Sequence, residues 1–101
     1  MKTIISTPKA PSAIGPYNQA TAFDKLIFTS GQIALDPQTM EIVIGGVKEQ
    51  TKQVMENLKA VLEEANSSFE NVLKTTCYLS DMDNFVAFNE VYAQYFPAET
   101  A

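Results

Sequence analysis

Residues Ser12 to Ile33 read Ser-Ala-Ile-Gly-Pro-Tyr-Asn-Gln-Ala-Thr-Ala-Phe-Asp-Lys-Leu-Ile-Phe-Thr-Ser-Gly-Gln-Ile. The alternation predicts a β-hairpin with strands near residues 17–23 and 26–33 and a turn at Asp24-Lys25. Proline fixes φ and donates no ladder bond, so Pro16 suits the start of a strand rather than its middle. Gly31 has no Cβ, which lets a ligand or another backbone come close. The hairpin therefore brings two special segments to one end. One is a rigid corner, Gly15-Pro16, delivering the Tyr17 phenol. The other carries the Ser30 hydroxyl and the bare amide of Gly31. Together they form a candidate pocket wall.

Before the hairpin, residues 2–6 predict a short strand, and Pro8, Pro11 and Pro16 make residues 7–16 a restrained, extended connector. In the returning strand Leu26, Phe28 and Ser30 share one face and Ile27, Thr29 and Ile33 the other. Both faces carry apolar groups, which predicts cover on each: helices on one side, another subunit on the other. Residues 34–46 read as a surface loop with a turn at Asp36-Pro37-Gln38-Thr39. From Val47 to about Ala65, Val47, Thr51, Val54, Leu58, Val61 and Leu62 recur at helical steps, and Asn66-Ser67-Ser68 ends the pattern. Residues 72–80 are β-rich and predict a strand with Leu73, Thr75, Cys77 and Leu79 on one face. Asp81 or Asp83 can cap a second helix over residues 84–96, buried through Phe85, Phe88, Val91, Tyr92, Tyr95 and Phe96. Asn89 falls at the edge of that stripe. Strand, hairpin, helix, strand and helix make an α+β pattern with both helices on one sheet face. A further strand usually follows, so the expectation is that one sheet position lies outside these residues.

The chain of 101 residues is one domain in size, with 46% hydrophobic and 19% charged residues. Its formal charge is −5, all seven basic residues are lysine, and histidine is absent. An acidic chain without arginine is poorly suited to gripping phosphate backbones, so nucleic acid is not an expected partner. Lack of histidine excludes Ser-His-Asp and Cys-His catalysis and histidine-ligated zinc, and no phosphate-cradling glycine motif occurs. Cys77 stands alone, which excludes an internal disulfide, and it reads as a small buried hydrophobe. With no leader or long apolar run in view, a cytoplasmic location is the expectation and no membrane partner is.

Taken together, Ala13-Ile14-Gly15-Pro16-Tyr17, Thr29-Ser30-Gly31-Gln32-Ile33, Glu64-Ala65, Val72-Leu73-Lys74-Thr75-Thr76 and Phe85-Val86-Ala87-Phe88-Asn89 resemble the Rid (YjgF/L-PSP) family in order and spacing. The resemblance covers essentially the whole chain. It implies a chorismate-mutase-like α+β subunit with a mixed sheet and two helices on one face. It also implies a homotrimer with active sites in inter-subunit clefts. Deaminating members hydrolyse 2-imino or 2-amino-enoic acids, released by pyridoxal-phosphate enzymes, to 2-keto acids and ammonia, without metal or organic cofactor. Carried over, Tyr17, Ser30, Gly31 and Asn89 would bind the small imino or keto acid. The family's carboxylate-binding arginine and water-positioning glutamate would fall beyond Ala101, which implies that the single domain, residues 1–101, lacks its final strand region and is incomplete as a catalyst. Two other readings stand beside the deaminase: a non-catalytic small-carboxylate sensor on the same fold, and an endoribonuclease, which the charge and missing histidine oppose.

Overall fold

The computed structural model describes residues 1–99 and 101. Three strands, β1 (Thr3–Ile5), β2 (Ala20–Phe23) and β3 (Leu26–Thr29), form a sheet in the order β1-β2-β3. Two helices follow, α1 (Val47–Glu64) and α2 (Phe85–Tyr95), with short 3₁₀ turns at Phe69–Asn71 and Met82–Asn84. Among the described residues no helix is long and apolar enough to cross a membrane.

The hairpin register pairs Phe23 with Leu26 and Ala20 with Thr29. Asp24 bends the chain at φ 56°, a region that Asp tolerates better than most residues. Both strands are shorter than the alternation predicts, because the residues beside them are spent on the corner and on side-chain anchors. One sheet face, through Ile5, Ala20, Ala22 and Ile27, packs on Ala60 and Val61 of α1, on Ala65 just after it and on Ala10. That is the core. On the opposite face Ile4, Phe23, Leu26 and Phe28 are all exposed in the single chain. Half of the expected two-sided cover is therefore supplied by this chain itself.

The connector 7–16 is held down by one side chain. Gln19, only 3% exposed, accepts from Thr7 N at 2.6 Å with its Oε1. Its Nε2 donates to the carbonyls of Thr7 (3.0 Å), Ala10 (3.2 Å) and Pro11 (2.8 Å). Buried backbone groups that cannot join a ladder need such partners.

α1 begins at Gly46, whose N–H donates to Glu49 Oε2 at 3.0 Å, and ends with Asn66 in the left-handed region (φ 59°). There Ser67 N donates to Leu62 O at 2.8 Å and Asn66 N to Glu63 O at 3.0 Å, which satisfies the helix's last carbonyls. Its buried residues are Thr51, Met55, Asn57, Val61 and Leu62. Val54 and Leu58 are half-buried, and Met55 and Asn57 take the inner positions instead.

α2 packs on α1 and is joined to it by the Lys48–Glu90 ion pair at 2.6 Å and by Tyr95 OH donating to Glu56 Oε2 at 2.8 Å. Phe85, Phe88, Tyr92 and Phe96 form a run of ring contacts that continues to Phe69 and Tyr95. Asp81 caps the turn leading into α2 by accepting from Asp83 N at 2.9 Å.

The predicted strand over residues 72–80 is not paired. The segment is bound to α2 through the Thr75 and Tyr92 hydroxyls, but none of the described strands lies beside it to form a ladder. Strand composition cannot supply a partner, and a mixed sheet would need this segment's pairing; the ladder present is antiparallel throughout. For the same reason Cys77 is exposed rather than buried.

Two measurements test this packing. Gln19→Leu strands several buried backbone groups at about 1–3 kcal/mol each, so denaturant unfolding should show a loss on the order of 2–5 kcal/mol. Burial, then the hydrogen bond and charge of Glu56, push the Tyr95 phenol from its ordinary 10.0 up to about 12. A raised phenol pKa favours the folded state fully below the unfolded value, and that stability is lost as pH rises through the folded value. Melting temperature should therefore fall as pH climbs from 10.0 towards about 12, and Tyr95→Phe should flatten that fall.

Candidate functional site

Gly15 has φ +115°, a conformation that side-chain-bearing residues rarely adopt. It lets the chain turn sharply about Pro16, so that Tyr17 N donates back to Gly15 O at 2.9 Å. The Tyr17 hydroxyl then accepts from Ile14 N at 3.3 Å, and the phenol closes its own corner. On the other side of the hairpin the chain leaves β3, and Ser30 N donates to Gln19 O at 2.9 Å. Beyond it Leu35 N donates to Ile33 O at 2.8 Å, a tight turn about buried Ala34.

Between these two segments lies an open cavity of about 160 Å³. It is lined on one side by Pro11, Ser12, Ile14 and Tyr17, and on the other by Gly31, Gln32, Ile33 and Leu35, with Gln19 at its base. Among the described residues no charged side chain lines it. A small planar molecule would meet apolar walls and a few amide and hydroxyl groups, an environment that holds without attacking.

Tyr17 and Gly31 are thus brought to one cavity, as the hairpin argument expects. A Cβ built on Gly31 would meet nothing within 4 Å, and its φ is not positive. Neither backbone strain nor packing within this chain requires glycine here. Its N–H has no hydrogen-bond partner among the described residues. Ser30 is placed differently: its hydroxyl donates to Asn18 O, tying the two ends of the hairpin, and it is not among the lining residues. Asn89 is exposed on α2 and does not line this cavity either.

Two residues that shape this region are missed by sequence reasoning, Gln19 among the cavity's lining and Asn57 behind its wall. Asn57, 1% exposed on α1, donates through Nδ2 to Leu35 O at 2.8 Å and Ile33 O at 3.2 Å. Its Oδ1 accepts from Gln53 Nε2 at 2.8 Å. The one sequence signal for Asn57 is a polar residue next to the apolar stripe.

The family model described as Endoribonuclease L-PSP matches residues 7–101. The chain is 55% identical over 95 residues to a RutC family protein of Pyrococcus abyssi, covering 94% of this chain and 75% of that protein. It is 48% identical over 96 residues to the 2-iminobutanoate/2-iminopropanoate deaminase of Homo sapiens, covering 95% of this chain and 70% of the human protein. Among solved structures, a Thermotoga maritima protein named for endoribonuclease activity superposes with a TM-score of 0.94 at 48% identity, covering 97% of this chain and 77% of that one. The E. coli protein TdcF, crystallised with bound serine, superposes at 0.89 with 42% identity, covering 93% and 73% of the two chains.

The glycines give a paired test. A Cβ at Gly45 (φ +128°) would lie 2.7 Å from the Glu49 side chain, whereas Gly31 has room. Gly45→Ala should destabilise by about 1–3 kcal/mol and Gly31→Ala by less than ~0.5 kcal/mol in denaturant titration.

Proposed function

The chain belongs to the endoribonuclease L-PSP family, the Rid family named above, and on that footing we propose that it is a hydrolytic deaminase of reactive 2-imino and 2-amino-enoic acids. Water adds to the imine carbon, the C=N bond becomes a carbinolamine, and the nitrogen leaves as ammonia, giving a 2-keto acid. The observation that carries this reading is Gly31, whose N–H has no partner among the described residues and which lines an uncharged cavity together with Tyr17. The imine's carboxylate oxygens accept from that N–H, and the phenol face covers the planar carbon skeleton. The human relative, which carries the name of this activity at 48% identity, supports the same class of substrate.

In this reading the working unit is a homotrimer. The exposed apolar sheet face of Ile4, Phe23, Leu26 and Phe28 is the surface that subunits share, and Asn89 completes a cleft from a neighbouring subunit. Ser30 contributes by holding the hairpin end rather than by touching substrate.

A second reading has its own observation. No cation lines the cavity, and the chain has no arginine, so a small-carboxylate sensor without turnover fits the same walls.

The test is ammonia release from 2-iminobutanoate generated in situ by a threonine dehydratase, with the natively expressed protein added. We expect release above the buffer rate, and a loss of at least about tenfold in kcat/KM for Gly31→Val at unchanged melting temperature, as expected when a substrate-facing donor is shielded. Release no faster than buffer, with 2-ketobutyrate still shifting the Gly31 amide resonance, would replace the deaminase by the sensor.

A further inference from the structure

Resting on the functional reading above, we propose that Asn57 is a positioning residue for the site, setting the place of the Gly31–Leu35 wall from inside α1. The wall has no ladder of its own, because β3 ends at Thr29. Among the described residues, its regular backbone bonds beyond that point are the turn at Ile33–Leu35 and a small hairpin, with Val43 N on Ala34 O at 2.9 Å and Asp36 N on Glu41 O at 2.9 Å. Nothing in those bonds fixes the wall's distance from the rest of the molecule. Asn57 does so. Both donors of its amide are used on carbonyls that bracket the turn, at Ile33 and Leu35, and both residues line the cavity.

The orientation of that amide is itself fixed. Gln53, one turn earlier on α1, donates to Oδ1, so the Nδ2 edge must face the two carbonyls. A carboxylate at this position would put acceptor against acceptor. An aliphatic side chain would leave the part-buried Leu35 carbonyl without this donor and the Ile33 carbonyl with only Leu35 N. The opposite wall is secured separately by Gln19 acting on Thr7, Ala10 and Pro11. Each cavity wall thus hangs on its own buried amide, one from the sheet and one from α1. Loss of the Asn57 anchor should move one wall alone.

The experiment compares Asn57→Leu with Val61→Ala, a core truncation in the cluster of Ile5, Ala10 and Ala20. Two readouts are taken. The first is amide exchange at Leu35, Asp36 and Val43 against Thr7 and Tyr17, which report the opposite wall. The second is the split between KM and kcat in the imine assay. Asn57→Leu should speed exchange at the first three amides at least about tenfold over the other two. It should raise KM by about tenfold or more with kcat within about threefold, the pattern of lost substrate binding. Val61→Ala, at similar loss of melting temperature, should leave KM within about twofold. Even exchange across both walls, or a KM unchanged by Asn57→Leu, would overturn the positioning role.

If the unmodified protein releases no ammonia, the deaminase reading fails, and the exchange contrast alone decides the positioning claim. Should Asn57→Leu not fold, Gln53→Ala gives the same contrast. Faster exchange confined to Leu35, Asp36 and Val43 supports the proposal, and no change there sinks it.

Discussion

The buried side-chain amide of Gln19 is the constraint on which the rest of the architecture depends. Ten residues separate β1 from the corner at Pro16, two of them prolines that cannot donate, and this connector has no strand partner among the described residues. One glutamine, standing just before β2, offers an acceptor to Thr7 N and donors to three carbonyls of that connector. Its own carbonyl takes the Ser30 N–H from across the hairpin. Connector, corner and both hairpin strands thus meet at a single residue. Because each bond is made in a water-excluded place, the alternative to making it is an unpaired group rather than a hydrated one.

This arrangement explains why the cavity lies where it does. The corner is rigid because Gly15 has a left-handed geometry and Pro16 has no freedom in φ. The far wall is displaced outward because β3 stops after four residues and turns about Ala34. A gap opens between a rigid element and an irregular one, and its polar groups are backbone amides and neutral side chains. Such a site binds by shape and by a few directed donors, which suits a substrate whose imine carbon already accepts water readily.

Much of this was legible in the residues. The hairpin, the long helix and its Asn66 stop, the Asp81 cap and the pairing of Tyr17 with Gly31 all follow from local rules that act over a few positions. What escaped the sequence was non-local. Asn57 and Gln19 look like ordinary polar residues until the carbonyls they serve are brought to them from 22 and 12 positions away. Ser30 was expected to face a ligand, yet its hydroxyl found the Asn18 carbonyl first. Residues 72–80 have the composition of a strand, but a ladder is a property of two segments, and composition speaks for one.

That last segment has a consequence for how the molecule behaves in company. Along residues 72–80 the amide and carbonyl groups on both edges are committed to no neighbour in the sheet, and Leu73 and Tyr78 stand out into solvent. Soluble proteins ordinarily blunt such edges with charge, proline or a bulge, and here Lys74 is the only charge between Val72 and Ser80. The segment is therefore the place in the fold where one further extended stretch would find hydrogen-bonding groups to meet.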